Sequence, residues 1–86
     1  MHEIESNATN ERIRWRCKRG MLELDKLLLN FFDNCYPTLN KKSQENFQRL
    51  LEIEDDKLWA AFMGVTMLED EVLNDMLLCI RYLYKR

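Results

Sequence analysis

Glycine occurs twice and proline once in the 86 residues. Sandwiches and barrels need turn residues every few positions, so this scarcity speaks against an all-β design and favours helices with short connections. Gly20 and Gly64 cannot build a phosphate-cradling loop, and neither G-x-G-x-x-G nor G-x-x-x-x-G-K-[ST] occurs. The single histidine, His2, stands at the amino terminus, which leaves no base for a Ser-His or Cys-His pair. No apolar run reaches the roughly 18 residues of a membrane span. The opening MHEIESNATNE has neither the basic-then-apolar order of a secretory signal nor the basic character of a transit peptide. The expectation is a soluble, cytoplasmic protein with no membrane insertion. Charge of one sign is lacking too: 13 Lys and Arg against 15 Asp and Glu give a net charge of −2, which argues against a generic polyanion binder.

Cysteine is present but unpaired by count. Cys17, Cys35 and Cys79 are an odd set with no C-x-x-C, as in a reducing compartment, and they do not make the four-ligand set of a zinc site. Each lies in or beside an apolar stripe, so all three are expected as small buried hydrophobes. The acidic runs Glu54-Asp55-Asp56 and Glu69-Asp70-Glu71 precede helical patterns and suit helix starts. Neighbouring carboxylates on a helix splay apart, and neither run has the alternation and central glycine of a calcium loop. No catalytic residues and no metal ligands are expected, and the chain is read as a non-enzyme.

What is there is helical periodicity. With 47% hydrophobic and 33% charged residues the chain reads as one folded domain. Residues 1–9 carry no period and are expected to fray. Thr9 or Asn10 would cap a first helix, ERIRWRCKR, with Ile13, Cys17 and Met21 as a thin apolar line and Gly20 just past its end. Leu24, Leu27, Leu28, Phe31, Phe32 and Cys35 mark a second helix over about 21–35, with Leu22 and Leu29 pointing off the stripe. Pro37 stops it. Asn40 or Ser43 caps a third helix with Phe47, Leu50 and Leu51 inward; Leu58, Trp59, Phe62 and Met63 mark a fourth, ended at Gly64. Thr66 is a candidate cap for a last helix over about 69–85, whose stripe is Val72, Leu73, Met76, Leu77, Ile80, Leu83 and Tyr84. The predicted fold class is all-α, a compact five-helix bundle over residues 10–86.

The bend between the first two helices concentrates the surface chemistry. Arg12, Arg14, Arg16, Lys18 and Arg19 surround Trp15. Such a cluster can meet phosphates and stack on bases, can be a solvated face, or can meet an acidic protein. No DNA-reading motif accompanies it. Past it, Arg19 offers a planar fork for a carboxylate or carbonyl, Gly20 permits close backbone approach, and Glu23 lies just off the buried stripe. The plainer alternative is an Arg19–Glu23 surface pair with Gly20 as a helix stop, worth about 0–1 kcal/mol.

The segment RIRWRCKRGMLELD, with R-G-x-x-E at Arg19-Gly20-Met21-Leu22-Glu23, resembles the signature of the succinate dehydrogenase flavinylation (assembly) factors. The resemblance extends through FQRLLEI and the acidic break to Leu58 and Gly64. It departs at DDKLWAAFMG, where the family commonly reads D-P-D-L-x-x-W-L-x-G: Asp56 stands at the proline place and Ala61 at the tryptophan place, with Trp59 nearby to supply a ring. The resemblance implies a five-helix protein that binds the flavoprotein subunit of succinate dehydrogenase or fumarate reductase and promotes covalent FAD attachment there, holding no FAD stably itself. It implies partner contact through Arg19, Gly20 and Glu23, and Trp15, Arg16 and Lys18 are added from the basic cluster. Two alternatives remain from the sequence: a small nucleic-acid binder, and the antitoxin role, paired with a small membrane protein, with which the same family has been labelled.

Overall fold

Leu24, Leu27, Leu28, Phe31 and Phe32 form a continuous apolar stripe, and all five are buried in the second of five helices. The computed structural model describes the backbone of residues 2–85 and the side chains of residues 9–83. The helices are α1 (His2–Arg16), α2 (Leu22–Asn34), α3 (Lys41–Leu50), α4 (Asp55–Phe62) and α5 (Glu71–Lys85), with a 3-10 turn at Tyr36–Thr38. The fold is all-α, with no strand among the described residues.

α5 packs on α2, α3 and α4, and its buried residues Leu73, Leu77 and Ile80 meet the α2 stripe within one core. Four aromatic rings fill the end where the chain reverses after α2. Phe47 lies 5.4 Å from both Phe31 and Tyr36, and Phe32 lies 4.8 Å from Tyr36, all in tilted geometry. The Tyr36 hydroxyl accepts a bond from Gln48 Nε2 at 3.0 Å, so its polar end is paired. Pro37 ends α2 as expected and sits in the 3-10 turn that leads to Asn40. The Asn40 side chain accepts from the Ser43 N–H at 2.8 Å, which settles the choice of cap in favour of Asn40.

Several expectations are corrected. α1 begins at His2 rather than at Thr9 or Asn10, and it ends at Arg16 rather than running to Arg19. Cys17 is buried and Cys35 partly so, but Cys79 is exposed: it lies on the solvent side of α5, where proximity to the stripe in sequence does not mean burial. Val72 is half-exposed and Met63 is exposed, so the inward faces of α5 and α4 are narrower than the sequence suggests. Leu29 packs against the core while Leu22 stays exposed. Tyr84, assigned to the α5 stripe, lies outside the described side chains. Trp59 and Ala61 are both half-buried against the core, so the ring at 59 contributes to packing beside the small residue at 61.

The start of α5 is set by Asp70, not Thr66 or Glu69. Its Oδ1 accepts from the Val72 N–H at 2.9 Å and the Leu73 N–H at 3.4 Å, while Oδ2 pairs with Arg49 of α3. The Arg49 hydrogen bond, followed by these backbone N–H groups, holds the Asp70 carboxyl below its usual 3.8. A carboxylate with a lowered folded pKa stabilises the fold above its unfolded value and loses that contribution as pH falls through the folded one. Asparagine caps as well as aspartate but cannot ionise. Urea midpoints measured from pH 7 down to pH 3 should therefore fall less steeply in Asp70→Asn than in the parent chain.

Burial raises the Cys17 thiol to about 12, so it stays protonated and unreactive in the folded chain. Timed alkylation at pH 8 should label Cys79 first and Cys35 more slowly. Cys17 should react only under denaturing conditions, as read by peptide mass.

Candidate functional site

The chain turns between α1 and α2 in five residues, Cys17 to Met21. α1 tightens as it ends, with the Cys17 N–H donating to the Arg14 carbonyl and the Lys18 N–H to the Trp15 carbonyl, each at 3.0 Å. Gly20 then adopts φ +90°, the left-handed region that side-chain-bearing residues avoid, and a Cβ built there would meet nothing within 4 Å. The bend is thus closed by backbone conformation rather than by crowding. Gly20 lies in a loop rather than directly after the helix, because α1 stops four residues before it.

Arg19 holds this bend to the rest of the fold. Its backbone N–H donates to Asp25 Oδ1 in the first turn of α2 at 2.6 Å. Its guanidinium turns inward and is only 12% exposed. Nε donates to Asp55 Oδ1 at 2.7 Å, Nη1 to the carbonyls of Leu51 at 2.7 Å and Arg16 at 3.2 Å, and Nη2 to the Ile53 carbonyl at 2.5 Å. One planar group thereby ties the end of α1 to the turn between α3 and α4 and to the start of α4. The fork expected to meet a partner's carboxylate or carbonyl is filled by a carboxylate and carbonyls of the chain itself. The Arg19–Glu23 surface pair is not formed either, since the ion partner of Arg19 is Asp55.

Outward from this anchor lies a mixed surface. Trp15 is 69% exposed, with the Lys18 ammonium 4.8 Å from its ring centroid, a cation–π contact. Glu11, Arg14, Trp15 and Lys18 line a shallow depression of about 260 Å³. Arg14 is fastened by Nε and Nη2 to the two carboxylate oxygens of Asp33, both at 3.1 Å, which joins α1 to α2. Beyond Gly20, Leu22 and Glu23 are exposed on the first turn of α2. Arg16 is half-buried, and its carbonyl serves Arg19.

Of the six residues singled out in the sequence, Trp15, Lys18, Gly20 and Glu23 are exposed, Arg16 is intermediate and Arg19 is the internal clamp. Sequence reasoning missed Asp25, Asp33 and Asp55 as the acidic partners of this region. Asp55 stood in a run that reads fully as helix-start charge, and its partner is 36 residues away. Leu22 was visible as an apolar residue off the stripe. Among the described residues no group of His, Cys, Asp and Glu could hold a metal ion, and no helix is long and apolar enough to cross a membrane.

Comparison with known proteins places this geometry in context. Residues 11–83 match the family described as flavinator of succinate dehydrogenase. An FAD assembly factor SdhE of Colwellia psychrerythraea is 48% identical, over 81% of this chain and 84% of that protein. Those of Idiomarina loihiensis and Shewanella oneidensis are 42% and 47% identical, over 95% and 81% of this chain and 88% and 85% of the relatives.

Proposed function

The chain belongs to the family of flavinators of succinate dehydrogenase, and from that premise we propose that it is an FAD assembly factor, not an enzyme. It binds the flavoprotein subunit of succinate dehydrogenase, or of fumarate reductase, and promotes covalent attachment of FAD there.

The observation that carries the choice of surface is the rigid, exposed bend: Gly20 at φ +90° beside the Arg19 clamp, with Trp15, Lys18, Leu22 and Glu23 outward. A bend held by five Arg19 hydrogen bonds loses little conformational freedom when a partner binds. Gly20 lets partner backbone approach, the Glu23 carboxylate accepts N–H groups or meets a cation, and Trp15 with Lys18 supplies an amphipathic ring beside a charge. Arg19 acts through position, by fixing the loop that presents the others. Arg16 contributes in the same indirect way through its carbonyl.

The bond-forming chemistry belongs to the flavoprotein and its flavin. The role of this chain is differential affinity: it binds best to the arrangement of the flavoprotein in which flavin and acceptor side chain are poised to react, and so raises the population of that arrangement. FAD need not stay on the assembly factor for this to work.

The test uses purified flavoprotein subunit, FAD and this chain, with covalent flavin read by in-gel fluorescence. Glu23→Ala removes an exposed side chain, so the unfolding free energy from urea titration should stay within about 0.5 kcal/mol of the parent. Stimulation of flavinylation should fall about tenfold, as expected for a charged contact at an interface centre. Full stimulation by a normally folded Glu23→Ala would remove Glu23 from the docking surface.

A further inference from the structure

The first turn of α2 carries two carboxylates that face different ways. Glu23 and Asp25 are two residues apart, about 200° around a helix. Glu23 is exposed, while Asp25 is half-buried and turned back to the loop. Either charge suits the amino-terminal end of the helix dipole. Only Asp25 does more: its Oδ1 accepts the Arg19 N–H at 2.6 Å, six residues back in the chain.

The Asp25 backbone closes the same loop from the other side. Met21, at the helix start, has extended dihedrals and supplies no side-chain cap. Its carbonyl accepts the Asp25 N–H at 2.8 Å. Asp25 thus fixes the peptide unit before Arg19 through its side chain, and the one after Met21 through its backbone. Peptide units are planar, so a loop bends only at φ and ψ. Two units remain between the fixed ones, and they are the two that flank Gly20. Nothing crowds a Cβ position at Gly20, and glycine populates either sign of φ. The fixed ends therefore select φ +90° there. The Arg19 guanidinium sets where the loop sits on the turn between α3 and α4. It grips a side chain, and it leaves the direction of the peptide planes to Asp25.

We propose that Asp25 is a positioning residue for flavinylation. Acting through the Arg19 N–H, its carboxylate holds Gly20 in the arrangement on which the flavoprotein docks. This rests on the reading of the bend as the docking surface. Without the carboxylate the bend samples several arrangements, of which a fraction is competent. Apparent affinity then falls by that fraction, while the complex once formed is as productive as before.

The test titrates flavoprotein subunit and FAD with this chain and reads covalent flavin. Asp25→Ala should raise the half-saturating concentration about five- to tenfold at an unchanged plateau. Asp25→Asn keeps an oxygen acceptor in place and should stay within about threefold of the parent. Asn40→Ala removes the cap of α3, at the opposite end of that helix from the Arg19 contacts. It should lower stability and leave half-saturation unchanged, which separates lost stability from lost positioning. Hydrogen exchange resolved by residue should show the Arg19 N–H at least about tenfold faster in Asp25→Ala, with the Leu28 and Phe31 amides changing far less. An Asp25→Ala chain that unfolds would mean that Asp25 holds the fold and not the bend, and would overturn the proposal. So would an Asp25→Asn chain as impaired as Asp25→Ala. Unchanged half-saturation in Asp25→Ala, with Glu23→Ala impaired, sinks this inference alone. If Glu23→Ala and Gly20→Arg both stimulate as well as the parent, the docking surface is wrong and this inference goes with it.

Discussion

Arg19→Ala should cost about 2–4 kcal/mol of folding stability, a large share of the roughly 5–15 kcal/mol that holds a domain folded. The magnitude follows from what the guanidinium touches. Its removal leaves the Leu51 and Ile53 carbonyls without their donor and Asp55 without its cation, and the Arg19 side chain is only 12% exposed. Each carbonyl left unpaired in a buried setting costs about 1–3 kcal/mol, reduced where water reaches it. Asp55 is 34% exposed and recovers part of its hydration, so its share is the smaller one. Urea unfolding should show a lower midpoint at an unchanged m-value. Arg19→Lys keeps the charge but cannot serve two carbonyls and a carboxylate from one plane, so it should recover less than half of the loss. Asp55→Asn should cost less than Arg19→Ala, because the carbonyl bonds survive. An Arg19→Ala chain as stable as the parent would mean that the clamp contributes nothing to the fold.

Gly20→Arg should abolish stimulation of flavinylation while leaving a folded bundle. At φ +90° an L side chain carries a backbone penalty of about 1–2 kcal/mol. That loss is tolerable, because a Cβ at this position meets nothing within 4 Å. The long cationic side chain then stands on the surface that, on the reading above, partner backbone must approach. Gly20→Ala separates the two effects: it carries the same backbone penalty with one methyl group of bulk. Gly20→Ala should therefore lose the same stability and keep much of its stimulation, within about tenfold of the parent. If Gly20→Arg stimulates as well as the parent, the bend is not the docking surface. If both variants fail equally, backbone strain and not bulk is the cause, and the close-approach argument is lost.

These two neighbours therefore act in different ways. A change at Arg19 removes an internal tie, and its effect on flavinylation should follow the population of folded chain and the order of the loop. A change at Gly20 alters the outer surface of a chain that is still folded. Raising protein concentration or lowering temperature should rescue Arg19→Ala in part, and should not rescue Gly20→Arg.

The apolar periodicity made much of this visible in advance. The uninterrupted 24, 27, 28, 31, 32 rhythm marks α2, and the rings that follow it mark the end of the core. Pro37 and Asn40 punctuate the chain where the sequence places them, because their effects are local: one lacks an N–H, the other supplies an acceptor. Cys79 was misjudged because it sits one residue from buried Ile80, and a helix turns about 100° between neighbours. Asp70 was misplaced by a short distance for a similar reason. Any of three consecutive acids can start a helix, and only the return of Arg49 from α3 selects one of them.

By itself the sequence determined the helical class, the five-helix order, the left-handed glycine at the first bend and the family signature around it. All of these depend on groups within a few residues of one another. Only the tertiary structure decided which way Arg19 faces. A guanidinium can reach in or out from the same backbone, and its direction was set by Asp55 and by two carbonyls that the chain brings back more than thirty residues later. A residue that reads as a docking fork in one dimension is in three dimensions the tie that holds the bend between α1 and α2 in place.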